Sequence, residues 1–517
     1  MKKITLIFLS LAFSIASFAE IKMPKIFSDN MLLQRNAYVK IWGLADANAK
    51  VDVEFAGQQK SAKADANGKW SLKLDKMSAN KNPQEMKISE NGKLGKTIKN
   101  ILVGEVWIAG GQSNMQWSIY STNEYKNFVA RKNRLTIRYF NQNTKSLSLT
   151  PAWDCPEDAK WIDIASAEKV GWFSATGLYF AEKLSLELDV PVAIVFTALG
   201  ASKMICWLPE EKMESLPYLK SEWEKFKAGM ATYDYSKAYS KWKEDVAQWE
   251  KDAQLAKKQK KPFNTKKPFE PHKLSCLKLM NQTPVYLYNA LIAPIANYTS
   301  RGVIWYQGES DSYGGTLDNF QYQFDLIVKT WREKFGNPNL HFVYSQLTSF
   351  GTGGSWGLVR WKQYLSSKSL KNASVVNIID LGQADDVHSR DKDLVGERFA
   401  KVALEKVYNK KVNGLCPELK SVVYNNDTAT IKFNTYGRGI IGKGEPRGFE
   451  ARTNGKWQKA TASLSGENVI VKSCNAEKIE AVRYLWKNWA KPDVWLFNKD
   501  GLPVFSFTDP ENLASLR

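Results

Sequence analysis

Cysteine and histidine are scarce in this chain of 517 residues, and their scarcity excludes two kinds of site. The five cysteines are Cys155, Cys206, Cys276, Cys416 and Cys474. They are too few for a disulfide-built scaffold and lack the Cys-x-x-Cys spacing of zinc ligands. The three histidines are His272, His341 and His388. Since they form no His-Glu-x-x-His motif, a hydrolytic metal site is not expected, whereas a serine mechanism needs only one histidine.

Glycine, proline and long apolar runs are also sparse. With 44% hydrophobic and 24% charged residues, the composition is that of a globular protein, and the length predicts about three domains. The one marked apolar run, Ile4 to Ala16, follows Lys2 and Lys3 and is shorter than the roughly 20 residues of a membrane-spanning helix. We therefore predict a signal peptide over residues 1–19, export to the periplasm or the extracellular space, and no membrane span afterwards. A retained N-terminal anchor is the alternative.

Acidic residues are outnumbered, 53 to 73, which gives a formal net charge of +20. Such an excess suits an anionic partner such as nucleic acid, an acidic glycan or a membrane surface. Export argues against nucleic acid, and no nucleic-acid motif is present. Part of the excess lies in an acid-free segment, Lys257 to Lys267, which is typical of a solvated face. The 19 tryptophans and 21 tyrosines suit sugar stacking, although tryptophan also fills cores.

Two segments, residues 20–99 and 409–517, have β character and are predicted to form separate small β-domains. Alternating strands are predicted over Val51–Phe55, Trp70–Leu74 and Thr428–Phe433. Asn67-Gly68 predicts a hairpin turn, because both residues tolerate positive φ, and Asn454-Gly455 marks another turn.

Residues 100–408 predict an α/β domain with a parallel sheet. Continuous apolar runs typical of strands covered on both faces are Ile101–Ile108, Pro191–Leu199, Gly302–Tyr306, His341–Leu347 and Val375–Leu381. Helical spacing lies between them, over Phe173–Leu188 and Phe324–Phe335. Ligands of such folds bind at the carboxyl ends of the strands.

An insertion, residues 213–283, interrupts the α/β alternation. Apolar residues from Tyr235 to Ala253 recur at steps of three and four, which predicts one apolar stripe on a helix. The insertion either packs on its own domain, which we favour, or forms a lid or partner-binding helix.

A serine and a histidine are candidates for nucleophilic catalysis. Ser113 follows the first apolar strand through Gly110-Gly111, a pair that allows a tight turn with backbone N–H groups near the hydroxyl. The turn is not Gly-x-Ser-x-Gly, and a helix-capping serine is the structural alternative. His388 follows the last predicted strand. Asp385, three residues earlier, can bond its Nδ1–H, but Asp-x-x-His alone is a weak signal.

Three motifs together, Gly111-Gln112-Ser113-Asn114-Met115, Trp305 to Ser310 and Asp385-x-x-His388, resemble the sialate O-acetylesterase family of SGNH/GDSL-type hydrolases. Further similar blocks lie at Met31–Arg35, Leu287–Pro294 and Leu496–Pro503, so the resemblance extends over nearly the whole mature chain. It implies a three-layer α/β/α, flavodoxin-like catalytic domain flanked by β-sandwich-like modules at both ends.

The resemblance also implies roles for individual residues. Ser113 is the expected nucleophile, His388 the general base and then acid, and Asp385 the orienting acid, with Asp386 ranked second. The expected oxyanion hole comprises the backbone N–H groups of Ser113 and Gly200 and the side-chain amide of Gln307. The alternatives are a tight turn that requires glycine at position 200 and a structural role for Gln307. No metal or organic cofactor is implied.

The chain departs from the family near its second block. Leu199-Gly200-Ala201-Ser202 stands where members often have Trp-Gly-Gly-Thr, Ile205 replaces a glutamate, and Ser389 replaces the proline after the histidine. We expect a carbohydrate O-acetylesterase that acts on O-acetylated sugars, first of all O-acetylated sialic acid. The alternatives are an acetyl-xylan or pectin-type esterase with the same triad, and a non-catalytic glycan-binding protein.

Overall fold

The computed structural model describes residues 21–142, 146–351 and 353–510. The predicted signal peptide, residues 1–19, lies outside these ranges. Within them, no helix is both long enough and apolar enough to cross a membrane.

The N-terminal module is made of strands that lead into the central sheet. They are β1 (Leu32–Gln34), β2 (Val39–Leu44), β3 (Lys50–Phe55), β4 (Gln58–Lys63), β5 (Lys69–Leu74), β6 (Asn80–Glu90) and β7 (Lys93–Gly111). Asn67-Gly68 lies in a turn, as predicted, with Gly68 at φ +76° and the Asp65 N–H bonded to Lys69 O. No hairpin forms there, however, because β5 pairs with β2 and not with β4. The hairpin instead joins β3 to β4 through Ala56-Gly57, both at positive φ. Because alanine disfavours that conformation, Ala56-Gly57 was not recognisable as a hairpin turn from its residue types.

The α/β domain contains the predicted parallel sheet. Its further strands are β8 (Ile137–Asn141), β9 (Lys160–Asp163), β10 (Val192–Phe196), β11 (Gly302–Tyr306), β12 (His341–Ser345) and β13 (Ala373–Val376). Their order is β13-β12-β11-β7-β10-β8-β9, and only the β8–β9 pair is antiparallel. Every residue of β10, β11 and β12 is buried, so both faces of the sheet are covered.

Two predicted boundaries shift. The boundary between residues 99 and 100 falls inside β7, whose first part pairs with β6 and whose last part pairs with β10 and β11. The last predicted strand ends early, because β13 stops at Val376 and Ile379–Leu381 forms a 3-10 turn. There the Asn377 side chain donates to Pro503 O and Val504 O and accepts from the Ile379 N–H. These bonds divert the chain from the sheet toward the C-terminal module.

The helices connect the strands and close the domain. They are α1 (Ser113–Gln116), α2 (Tyr125–Arg131), α3 (Ala175–Leu188), α4 (Pro217–Ala231), α5 (Tyr235–Lys258), α6 (Gly314–Asp318), α7 (Phe320–Lys334), α8 (Trp356–Ser369) and α9 (Lys392–Lys406). Ser174 caps α3 by accepting from the Gly177 N–H at 2.9 Å. The predicted helices α3 and α7 are confirmed, and the fold class is α/β.

The C-terminal module is an antiparallel β structure. Its strands are β14 (Glu418–Asn425), β15 (Thr428–Asn434), β16 (Ile441–Gly442), β17 (Phe449–Thr453), β18 (Lys456–Ser465), β19 (Asn468–Ser473), β20 (Ala481–Tyr484), β21 (Leu496–Phe497) and β22 (Phe507–Asp509). The turn predicted at Asn454-Gly455 is confirmed and joins β17 to β18. Trp361 and Tyr364 of α8 belong to this module's core, and the buried Arg360 side chain donates to Leu485 O and Lys487 O. The module is thus packed on the α/β domain.

The insertion contains α4 and α5, of which the apolar stripe predicted α5. No residue of α5 is fully buried. Its Trp242 and Trp249 indoles donate to Pro268 O at 3.2 Å and to Thr265 O at 2.7 Å. The returning segment of the insertion therefore covers part of the stripe, and a lid or partner-binding role stays a prediction.

Candidate active site

The turn between β7 and α1 presents Ser113 at the carboxyl edge of the central strand. Gly111 has φ +127°, and a Cβ there would lie 2.2 Å from Tyr306 O, so this position requires glycine. The Gln112 side chain accepts from the Gly308 and Ser310 N–H groups at 3.4 and 3.3 Å. Ser113 is the first residue of α1, so its N–H has no acceptor within the helix.

The turn after β10 places Gly200 directly beside Ser113. A Cβ built on Gly200 would contact Ser113 Cβ at 3.4 Å. The Gly200 N–H donates to Gln116 Oε1 at 2.7 Å, while Gly200 O accepts from Asn281 Nδ2 at 2.5 Å. The turn is therefore fixed on one side by α1 and on the other by the end of the insertion. The sequence singled out neither Gln116 nor Asn281.

Gln307 directly follows β11, and its side chain supports the same turn. Its Nε2 donates to Ser202 O and to Asp311 Oδ2, both at 3.0 Å, and both amide hydrogens are thus used within the protein. Burial raises the pKa of Asp311 to about 7. The oxyanion role of Gln307 stays a prediction, since one of these bonds must be released for it.

His388 lies in the loop after β13 with its ring stacked on Trp117. The two ring centroids are 4.1 Å apart and the planes differ by 11°. Its Nε2 is buried and has no hydrogen-bond partner in the described part of the chain. Burial lowers the pKa of His388, the Lys392 charge lowers it further, and Asp386 opposes both. A neutral imidazole with an unused Nε2 is suited to accept a proton.

The two candidate acids differ in their position relative to His388. Asp386 Oδ1 lies 3.8 Å from His388 Nδ1 and accepts from the His388 backbone N–H at 2.8 Å. Asp385 is exposed, and within the described residues no hydrogen bond or ion pair joins it to His388. The structure therefore favours Asp386, which the sequence ranked second, and the role of Asp385 stays a prediction. At 3.8 Å the Asp386 carboxylate is near the ring but not yet hydrogen-bonded to it.

A buried polar network joins the loops that carry these residues. Asn114 Nδ2 donates to Val387 O at 3.1 Å and to Glu309 Oε1 at 2.5 Å, and Asn114 Oδ1 accepts from Lys392 Nζ at 2.6 Å. The residue after Ser113 is thereby bonded to the residue before His388. Asn114 and Glu309 lie within the motifs noted in the sequence, whereas nothing there distinguished Lys392.

A cavity of about 860 Å³ lies beside this site, between the His388 loop and the C-terminal module. Its walls combine two acids, two cations and an aromatic ring, and the residues are Asn123, Gly382, Gln383, Ala384, Asp385, Asp386, Arg390, Trp489, Lys491 and Pro492. The cavity is open to solvent and its lining is mostly polar, so it suits a polar ligand bound next to Asp386.

The remaining histidines and the cysteines take no part in this site. His341 begins β12, at the opposite edge of the sheet, where its Nε2 bonds Ser374 Oγ and burial lowers its pKa to about 4. His272 lies in the insertion, where its Nδ1 accepts from the Leu274 N–H. All five thiols are free, and the described residues contain no cluster of three or more metal-binding side chains.

The chain is similar to known carbohydrate esterases in sequence and in structure. Residues 276–405 match the family model described as carbohydrate esterase, sialic acid-specific acetylesterase. The sialate O-acetylesterases of Homo sapiens and Rattus norvegicus are 24% and 25% identical, each covering 90% of this chain, with 88% and 89% of the relative covered. The crystal structure of a carbohydrate acetylesterase from Xanthomonas citri superposes with a TM-score of 0.78 at 27% identity, covering 94% of this chain and 99% of that one.

Proposed function

Because the chain belongs to the sialate O-acetylesterase family, we propose that it is a carbohydrate O-acetylesterase with Ser113 as its nucleophile. The observation that carries this proposal is the Asn114–Val387 hydrogen bond, which holds the Ser113 turn against the His388 loop beside Gly200. Residues 1–19 have the pattern of a signal peptide, and we propose that the enzyme is exported to the periplasm or the extracellular space.

In the proposed first step, His388 Nε2 takes the proton of Ser113 Oγ as this oxygen attacks the acetyl carbonyl. The tetrahedral intermediate collapses when the imidazolium protonates the leaving sugar hydroxyl, which yields an acetyl-enzyme. Water activated by the same imidazole then releases acetate. Asp386 stabilises the imidazolium from the Nδ1 side, and a modest closure of the 3.8 Å gap gives a direct hydrogen bond.

The oxyanion of this intermediate needs donors aimed at its position. The Ser113 N–H is one. The Gly200 N–H is the second, once it exchanges Gln116 Oε1 for the substrate oxygen. Gln307 is the third predicted donor, and its present bonds to Ser202 and Asp311 make it first a support of the Gly200 turn.

The proposed substrate is an O-acetylated sialic acid. The relatives are named for this activity, and a net charge of +20 favours the approach of an anionic sugar. An acetyl-xylan or pectin-type esterase is the second candidate, because the side chains around Gly200 depart from the family pattern.

Replacing Ser113 tests the proposal. We expect Ser113→Ala to lower kcat for 4-nitrophenyl acetate by about 10³-fold or more, because it removes the proposed nucleophile and with it the acyl-enzyme. Ser118→Ala is the matched control, since Ser118 is also half-buried and donates to Gly171 O. Full hydrolysis by folded Ser113→Ala would refute the mechanism, as would loss of wild-type activity on chelation with EDTA. Acetate release from an acetylated sialoside and from acetylated xylan then decides the substrate.

A further inference from the structure

Lys392 is a fully buried lysine beside the active site. It is the first residue of α9, and its Nζ lies 2.6 Å from Asn114 Oδ1 and 5.5 Å from the centre of the Tyr306 ring. Lysine is almost never fully buried unless its charge is compensated, because the desolvated ammonium is costly. Its hydrogen-bond acceptor here is a neutral amide and not a carboxylate, so the role of Lys392 is not simply to form an ion pair.

The ammonium determines which way the Asn114 amide faces. Lysine can only donate, so the amide oxygen must face Nζ and the amide nitrogen must face the other way. On that side lie two acceptors, Val387 O and Glu309 Oε1. Lys392 on one side and these two acceptors on the other together fix the orientation of Asn114, so the bond between the serine turn and the histidine loop is supported by Lys392.

Several charged groups surround Lys392. Glu309, Asp386 and Asp391 favour its charged form, but burial prevails and lowers the pKa of Lys392 to about 7. Glu309 is also buried, and burial raises its pKa. The positive charge of Lys392 in turn lowers the pKa of His388. The charge and the hydrogen bond of one residue therefore act on the two proposed catalytic side chains.

We propose that Lys392 is a positioning residue of the active site, which orients Asn114 and thereby fixes the Ser113 turn against the His388 loop. This inference rests on the proposed esterase function. It adds that a side chain of α9, which does not touch the substrate, controls how precisely Ser113 and His388 are placed relative to each other.

Lys392→Met is the direct test, with Lys401→Met as the matched control. Lys401 is on the same helix but pairs with Glu397 at the partly exposed surface. We expect Lys392→Met to lower kcat for 4-nitrophenyl acetate by about 10- to 100-fold, because small misplacements of reacting groups cost that much, and to leave KM within about twofold. The acid limb of the kcat/KM profile should move to higher pH, since a charge that lowered the pKa of His388 is gone. Lys401→Met should change neither quantity.

A double variant separates positioning from charge balance. The double variant carries both Lys392→Met and Glu309→Gln, so no unpaired charge remains buried. Its melting temperature should therefore return toward that of the wild type, whereas Lys392→Met alone lowers it. We expect the kcat of the double variant to stay low, because the Asn114 Oδ1 bond is still missing, and its acid limb to stay shifted, because the Lys392 charge is still absent. If Lys392→Met does not fold, the double variant provides the same kinetic test.

Recovery of kcat in the double variant would overturn the proposal and leave Lys392 a structural counter-charge. Wild-type kcat and an unmoved acid limb in Lys392→Met would overturn it as well. Neither result touches the esterase function, which depends on Ser113→Ala. Conversely, hydrolysis retained by Ser113→Ala would refute the proposed function whatever Lys392→Met does.

Discussion

His388 is the residue on which the proposed chemistry depends, and its surroundings favour the neutral imidazole. Burial and the Lys392 charge place its pKa below the ordinary value of 6.5. A histidine with a lowered pKa stays neutral, and able to accept a proton, until the pH falls below that pKa. Activity should therefore persist below pH 6.5 and decline on the acid side, as His388 becomes protonated.

At the same scale, the two neighbouring acids give opposite expectations. We predict that Asp386→Asn lowers kcat by about 10²-fold or more, because it removes the carboxylate nearest Nδ1 and weakens the imidazolium. Asp385→Asn is the matched control, one residue away and exposed, and should cost less than about threefold. Steady-state kinetics with 4-nitrophenyl acetate compare the two. A larger loss in Asp385→Asn would restore the acid that the Asp-x-x-His spacing first suggested.

Spacing alone was not able to separate these acids. Both Asp385 and Asp386 are close enough along the chain to curl back on His388, and only the loop conformation decides between them. The same holds for Lys392, whose partner Asn114 is distant in sequence. By contrast, the position of Ser113 at the carboxyl edge of the sheet was predictable, because a buried strand followed by two glycines leads into a tight turn there.

At the scale of elements, the insertion separates into a peripheral part and a part that touches the site. Helix α5 and its returning segment contact each other through Trp242, Trp249 and the chain near Thr265 and Pro268. The last residues of the insertion, in contrast, bond the Gly200 turn through Asn281. The apolar stripe predicted the helix correctly, but the role of Asn281 had no sequence signal, because a single asparagine in a polar stretch has no pattern.

We therefore predict that removing residues 233–271 leaves small-ester hydrolysis within about twofold of wild type. A short glycine linker can join the ends, because the Cys276 N–H contacts the Met230 sulfur at 3.1 Å and keeps the flanking chain in place. Asn281→Ala, which leaves the insertion intact, should instead lower kcat by about 10-fold by loosening the Gly200 turn. Kinetics and thermal melting of both variants check this. Unfolding of the deletion variant would mean that α5 supports the core.

At the scale of the whole molecule, the site exists because distant strand ends meet at one edge of the sheet. β7 lies between β10 and β11, so the loops that follow these three strands converge around Ser113. Their buried, continuous apolar runs made this sheet predictable from the sequence. The boundary of the N-terminal domain was less predictable. The strand β7 extends through the predicted boundary, and its first part pairs with β6 while its last part pairs with β11.

The most direct measurement of the central claim is covalent labelling with a fluorophosphonate, followed by peptide mass spectrometry. The account predicts one equivalent of label on Ser113, formed at least about 100-fold more slowly in His388→Gln and at the normal rate in Ser118→Ala. Label on a different residue, or an unchanged rate in folded His388→Gln, would contradict the pairing of this hydroxyl with this imidazole.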